Sequence, residues 1–138
     1  MKQRNILLLI CLVMLAGLVG CGNKQEADAD TEGVNSYVCI SQEEAANLME
    51  TEEDYVILDV RTIEEFAVGH IEGAICIPNE TISEEEIAEL PDKEQLILVY
   101  CRSGNRSKQA SEKLAAMGYT NIKEFGGINT WEGTIVTE

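Results

Sequence analysis

Two stretches of this chain, residues 55–60 (YVILDV) and 95–100 (QLILVY), are apolar at nearly every position. A strand with one wet face alternates polar and apolar residues. A nearly unbroken apolar run needs cover on both faces, which is the situation of strands in a parallel sheet. Both stretches lead into polar, chemically loaded segments, DVR at 59–61 and CRSGNRS at 101–107. In open sheets of this kind, ligands gather outside the carboxyl ends of the strands.

Helical signals alternate with these strands. YVCIS (37–41) is a short β-rich run. Ser41 with Glu44 forms a capping box, and Ala45, Leu48 and Met49 make a helical stripe to about Glu50. Thr62 with Glu65 forms a second box, opening a helix that stops at Gly69. AICIP (74–78) is a brief strand closed by Pro78. Ser83 with Glu86 forms a third box, which predicts a helix through EEEIAEL up to Pro91. After the cysteine loop, Ala110, Leu114 and Met117 recur at helical spacing and Gly118 ends the helix. NIKEF (121–125) is the last strand, followed by a GGI turn and a short segment holding Trp131. Strand–helix alternation of this length predicts an α/β domain with a mainly parallel sheet and helices on both faces.

The cysteine loop carries the chemistry. A thiolate is the nucleophilic form of cysteine, and cations and helix N-termini favour it. Cys101 has Arg102 and Arg106 beside it, and a helix is expected to begin at Asn105 or Arg106. Gly104 allows the backbone to curl without a Cβ penalty, and successive N–H groups in such a curl form an anion-binding nest. Ser103 and Ser107 add hydroxyls, and Arg106 adds a planar fork suited to oxyanions. The competing readings are a small buried strand-end residue and half of a disulfide.

Asp59 and Arg61 read as structural support for the loop after their strand, with Glu65, four residues on, as the expected partner of Arg61. His70 follows a turn and reads as a structural donor before a base. Trp131 reads as a core or lid aromatic. Cys39 and Cys76 fall in strands and read as small core hydrophobes, although residue spacing alone leaves a bridge between them open. With one histidine and no zinc-like cysteine spacing, no metal site or other cofactor is expected.

The first twenty residues stand apart. MKQRN supplies Lys2 and Arg4, and an apolar run continues to Gly20. A basic start, an apolar centre and small residues before a cut site make an export signal, and the run is shorter than the ~20 residues of a comfortable membrane span. LVGC (18–21) resembles the bacterial lipobox, whose cysteine is lipidated, so Cys21 is the expected lipid site. The resulting organisation is a lipoprotein signal at 1–20, a flexible acidic tether at 21–35 and a folded domain at 36–138. Its expected location is extracytoplasmic, on a bacterial membrane through the lipid anchor only. The formal charge of −15 becomes −17 once Lys2 and Arg4 leave. Such acidity excludes nucleic acid as a partner. It also repels anions at long range, so an anion site must work through local donors.

The segments ILDVRTIEEFAVGHIEGAICIP, LVYCRSGNRS and GYTNIKEFGGINTW together resemble the single-domain rhodanese-like sulfurtransferases, over residues 38–131. The resemblance implies a small α/β fold with a five-stranded, mostly parallel sheet. It implies that Cys101 takes the outer sulfur of a donor such as thiosulfate, holds it as a persulfide and passes it to cyanide or a thiol. Arg102, Ser103, Gly104, Asn105, Arg106 and Ser107 would cradle that sulfur and the donor's oxyanion. Asp59 and Arg61 occupy the family's structural DVR position. Four residues lie between Cys101 and Arg106. Phosphatases and arsenate reductases on this scaffold use one more, which places oxyanion hydrolysis behind sulfur transfer. The family's strand order also sets Cys39 and Cys76 well apart, which argues against a bridge. The fold serves elsewhere as a non-catalytic interaction module, usually where the loop cysteine is replaced. The export signal departs from cytoplasmic relatives and leaves delivery of sulfur to an exported protein as an alternative.

Overall fold

The computed structural model describes residues 35–138. The expected export signal, the expected lipid site Cys21 and almost all of the expected tether lie outside the described residues. Among the described residues, no helix is long and apolar enough to cross a membrane.

The elements are β1 (Val38–Cys39), α1 (Gln42–Thr51), β2 (Tyr55–Asp59), α2 (Ile63–Val68), β3 (His70–Ile71), β4 (Ala74–Cys76), β5 (Leu96–Cys101), α3 (Asn105–Ala116), β6 (Ile122–Gly127) and β7 (Ile135–Val136). Five strands form one sheet in the order β1-β6-β5-β2-β4. Every neighbouring pair in it is parallel. The two apolar runs are therefore adjacent central strands. All six residues of β5 are buried, which is why that run shows no alternation.

The side chains of β5 divide between two cores. Ile97 and Val99 pack on one face with Leu58, Ala110, Leu114 and Tyr119. Leu96, Leu98 and Tyr100 pack on the other with Ala45, Ile57 and Phe125. Each fully buried Leu or Ile contributes about 1.5–3 kcal/mol. Thus α3 covers one face and α1 the other, as the alternation predicts.

Two helix starts form as the capping signals require. Ser41 Oγ accepts the Glu44 N–H at 3.1 Å. Thr62 and Glu65 make the full reciprocal box, with bonds of 3.0 and 3.2 Å. The helix predicted at 84–90 does not form: between β4 and β5 there is one 3-10 turn, Asn79–Thr81, and then irregular chain. Glu84, Glu85, Glu86 and Glu89 crowd like charges into one short segment, and so short a helix is marginal alone. The segment is pinned instead by single anchors. Ile82 and Leu90 are buried, and Tyr119 Oη donates to the Leu90 carbonyl at 2.7 Å.

A second sheet, unexpected from the sequence, pairs β3 antiparallel with β7. Its strands have two residues each, too short for periodicity to register. Cys39 corrects another expectation, because it is exposed and not core. It lies on edge strand β1, while Cys76 lies on the opposite edge strand β4, and both are free thiols.

Candidate active site

Cys101 is the last residue of β5 and is 1% exposed. The chain then turns through Arg102 and Ser103 to Gly104, whose φ of 100° is left-handed, a conformation glycine adopts without steric cost. The turn folds the Gly104 N–H back on the sulfur, at 3.0 Å from Sγ. Helix α3 starts immediately afterwards at Asn105, so its unpaired N–H groups face the loop. Burial alone would raise the thiol's pKa. The hydroxyl and N–H of Ser107, with the N–H groups of Ser103 and Gly104, outweigh burial and hold it below its ordinary value. The sulfur thus sits in a nest of donors that favours negative charge.

Two ion pairs flank this nest. Asp59 and Arg61 are buried. Arg61 Nη2 lies 2.6 Å from Asp59 Oδ2, and Arg61 Nη2 also donates to the Gly69 carbonyl at 2.7 Å. Tyr100 Oη donates to Asp59 Oδ2 at 2.6 Å and accepts the Ile71 N–H at 3.1 Å. One carboxylate therefore ties together the ends of β2 and β5 and the start of β3. The expected partner of Arg61, Glu65, instead holds Arg106 across 41 residues, with Nη1 and Nη2 on its two oxygens at 2.7 and 2.9 Å. The hydrogen bond from Arg106 draws the Glu65 pKa down to about 2. In this geometry the Arg106 fork is engaged with Glu65 and not open to a ligand. Arg102 is exposed and lines an open cleft with Arg61, Glu65 and Asn129.

Behind the loop, β6 ends in two glycines with different duties. Gly126 has a φ of 93°. Gly127 passes so close to Arg102 that a Cβ would collide with the Arg102 carbonyl. That carbonyl accepts the Asn129 N–H at 3.2 Å, and Gln42 Nε2 donates to the Gly127 carbonyl at 2.7 Å. Glu124, also on β6, is buried and accepts from Ser107 Oγ at 2.6 Å and from the Gly126 N–H at 2.9 Å.

The family model of the rhodanese-like domain matches residues 41–134. The chain belongs to that family. Among curated proteins, the thiosulfate sulfurtransferase PspE of Escherichia coli is 41% identical over 71 residues, covering 51% of this chain and 68% of that protein. A sulfurtransferase of Allochromatium vinosum is 36% identical over 93 residues, covering 67% of this chain and 85% of that protein. The match to the adenylyltransferase and sulfurtransferase UBA4 of Meyerozyma guilliermondii spans 20% of that longer protein. A solved structure described as a rhodanese with anions from E. coli superposes with a TM-score of 0.56 at 38% identity, over 61% of this chain and 99% of that one. A rhodanese-like domain protein from Staphylococcus aureus gives 0.62 at 28% identity, over 75% and 98%. The five-stranded sheet is thus the rhodanese fold.

Within the rhodanese-like domain, the structure brings Cys101, Ser103, Gly104 and Ser107 together at the sulfur. Asn105 opens α3. Asp59 and Arg61 support the neighbouring strand end. His70 stands apart from this chemistry: Nδ1 lies 2.9 Å from the Phe66 carbonyl, to which it donates, and its ring stacks on Phe66. Trp131 packs against Phe125 with the rings 5.6 Å apart. Sequence reasoning missed Tyr100, Glu65 as the partner of Arg106, and Glu124. Glu124 carried no local signal, since Lys123 beside it makes IKEF read as a strand with ordinary polar positions.

Proposed function

We propose that this rhodanese-like domain transfers sulfane sulfur through a persulfide on Cys101. The carrying observation is the donor nest that lowers the pKa of a buried thiol at the start of α3. The names of PspE and the Allochromatium protein support sulfur transfer as the reaction class. A thiosulfate-like anion is the donor the loop suits, since N–H groups and Arg102 can meet its oxygens while the outer sulfur approaches Sγ. The Cys101 thiolate attacks that sulfur, and a new S–S bond forms as the donor's S–S bond breaks. The leaving sulfite takes the bonding electron pair, and the charge on the enzyme moves to the outer sulfur. Cyanide or a thiolate then attacks the outer sulfur, and Cys101 leaves as a thiolate. No external oxidant or reductant is consumed.

The loop amides from Ser103 to Ser107 hold the charged sulfur through both steps. Arg106 and Glu65 brace the rim, and Asp59 with Arg61 fixes the adjoining strand. The four-residue span from Cys101 to Arg106 favours a sulfur over a tetrahedral phosphate. The LVGC segment supports an exported chain lipidated on Cys21 and held at the membrane by that lipid. A thiol on another exported protein is then an acceptor as suitable as a small molecule.

Incubating the chain with thiosulfate should add one sulfur to Cys101 by intact mass and peptide mapping, and cyanide should release it as thiocyanate. Neither signal from the wild type would refute the reading. A membrane fraction lacking the chain, or labelled fatty acid absent from Cys21, would refute the anchoring.

A further inference from the structure

The open cleft beside the cysteine loop is larger and more apolar than a small anionic donor needs. It crosses the carboxyl ends of three adjacent strands. Arg61 follows β2, Arg102 follows β5 directly after Cys101, and Ile128 follows β6. Glu64, Glu65 and Val68 of α2 form the facing wall. The cleft has a volume of about 420 Å³, against roughly 30 Å³ for one water, so a donor of a few atoms leaves most of it unfilled. Val68 is 81% exposed. The apolar patch continues past Gly69, where an added Cβ would meet Ile135 Cγ2 at 3.2 Å, and Ile135 is itself exposed. Single exposed aliphatic residues are ordinary, but several gathered on the rim of a reactive cleft mark a contact surface.

The charges on the rim say what kind of chain belongs there. Arg61 is paired with Asp59, and Arg106 with Glu65. Arg102 is exposed and makes no salt bridge among the described residues. Glu64 on the cleft wall and Glu80, which bears on Arg106, are exposed and make none either. Two acids thus stand against one cation, on a chain whose formal charge is −15. Such a field draws a basic partner from a distance and turns away an acidic one. At close range Arg102 has a separate use. A thiol reacts as its thiolate, and a guanidinium beside Cys101 favours that form in an approaching thiol.

We infer that this cleft docks the sulfur acceptor, and that the acceptor is a basic protein segment with an apolar residue next to its reactive cysteine. The apolar residue covers Val68 and Ile128, the basic flanks meet Glu64 and Glu80, and the cysteine lies by Arg102. The step it serves is the second one of transfer. The acceptor thiolate attacks the outer sulfur, a new S–S bond forms on the acceptor, and the bond to Cys101 breaks, with its electron pair left on the Cys101 thiolate.

That use in turnover rests on the sulfur-transfer reading, but docking is tested without a sulfur donor, so the two fail separately. Short capped peptides with a central cysteine are prepared as mixed disulfides with thionitrobenzoate. One has leucine before the cysteine and lysines at its ends, one has glutamates in place of the lysines, and one has serine in place of the leucine. Cys101 attacks the peptide sulfur, and thionitrobenzoate leaves as a coloured thiolate. The full chain in detergent is used, and the rate of Cys101→Ser is subtracted to remove the other thiols. Each rate is divided by that of mercaptoethanol with the same peptide, which removes intrinsic reactivity. At low salt the basic leucine peptide should react about tenfold faster than the acidic one, and the gap should close as salt rises. It should outpace the serine peptide by about fivefold. Val68→Ser should erase the leucine advantage, and Glu64→Gln with Glu80→Gln should narrow the charge preference by at least about half. Each comparison is a ratio within one protein, so a change in the reactivity of Cys101 cancels. A charge preference without a leucine advantage means long-range attraction alone and overturns the inference. So do a leucine advantage without a charge preference, either preference surviving its own substitution, and equal or absent reaction with all the peptides.

Discussion

Cys101 and Cys76 both end parallel strands on either side of β2, yet their chemistry runs in opposite directions. Cys101 closes β5 and is the more deeply buried of the two, and its thiol pKa is lowered. Cys76 closes β4, and its thiol is pushed up to about 11, first by burial and then by Asp59. At neutral pH a thiol near 11 is ionised to roughly one part in ten thousand. Depth of burial therefore does not sort the two. The segment after each strand does. β5 runs into a left-handed glycine and a helix N-terminus, which turn N–H groups on the sulfur. β4 runs into Pro78, and Cys76 is itself the donor, to the Arg61 carbonyl at 3.6 Å.

The comparison breaks most completely through Cys101→Ser, which should abolish persulfide formation by mass spectrometry, while Cys76→Ser leaves it intact. Loss with Cys76→Ser would mean that both strand ends belong to the site. Next in size, Asp59→Asn removes the anion that raises the Cys76 pKa and strands the buried Arg61. Denaturant unfolding should show a loss of about 3 kcal/mol or more, and in whatever remains folded the Cys76 thiol should ionise at lower pH. Gly104→Ala tests the nest. A side chain in the left-handed region costs about 1–2 kcal/mol, and Cβ itself would find ordinary contact at 3.5 Å from Gly126. Displacing that amide should slow alkylation of Cys101 by about tenfold, moving it toward Cys76; an unchanged rate would show that the other donors suffice.

The smallest effect is electrostatic. Glu65 is held at about 2 by Arg106, below an unfolded value of roughly 4.3. A carboxylate with a depressed folded pKa stabilises above its unfolded pKa, and that stability is lost as pH falls through the folded one. The wild type should therefore lose stability between about pH 4.5 and 2, in part through Glu65. Glu65→Gln should flatten that portion of a thermal-melt series by an amount in the range of a partly exposed pair, about 1 kcal/mol or less. A series identical to the wild type would leave Arg106 without a stabilising partner in solution.

Much of this was legible in the chain. The two apolar runs specified central parallel strands, and the Thr62–Glu65 box formed in full. The nest was legible too, because glycine, serine and a helix start are local signals. The features that escaped are long-range. The Arg106–Glu65 bond spans 41 residues and the Ser107–Glu124 bond 17, and nothing local marks either partner. Glu124 in IKEF reads like any solvent-facing acid until α3 is laid over it. The Ser83 box failed because its motif describes only the helix end, and the acids after it give the interior little reason to form.

The stiffness of β5 has a consequence for how the site must breathe. β5 is hydrogen-bonded on both sides and buried on both faces, so its last residue cannot retreat. Loading a sulfur onto Cys101 extends the side chain by one S–S bond, about 2 Å. That length has to be found ahead of the strand, among the amides of the loop. Amide exchange measured before and after loading should then change at Ser103 and Gly104 while residues 96–100 stay silent, so that the sheet acts as an anvil and the loop as the moving part.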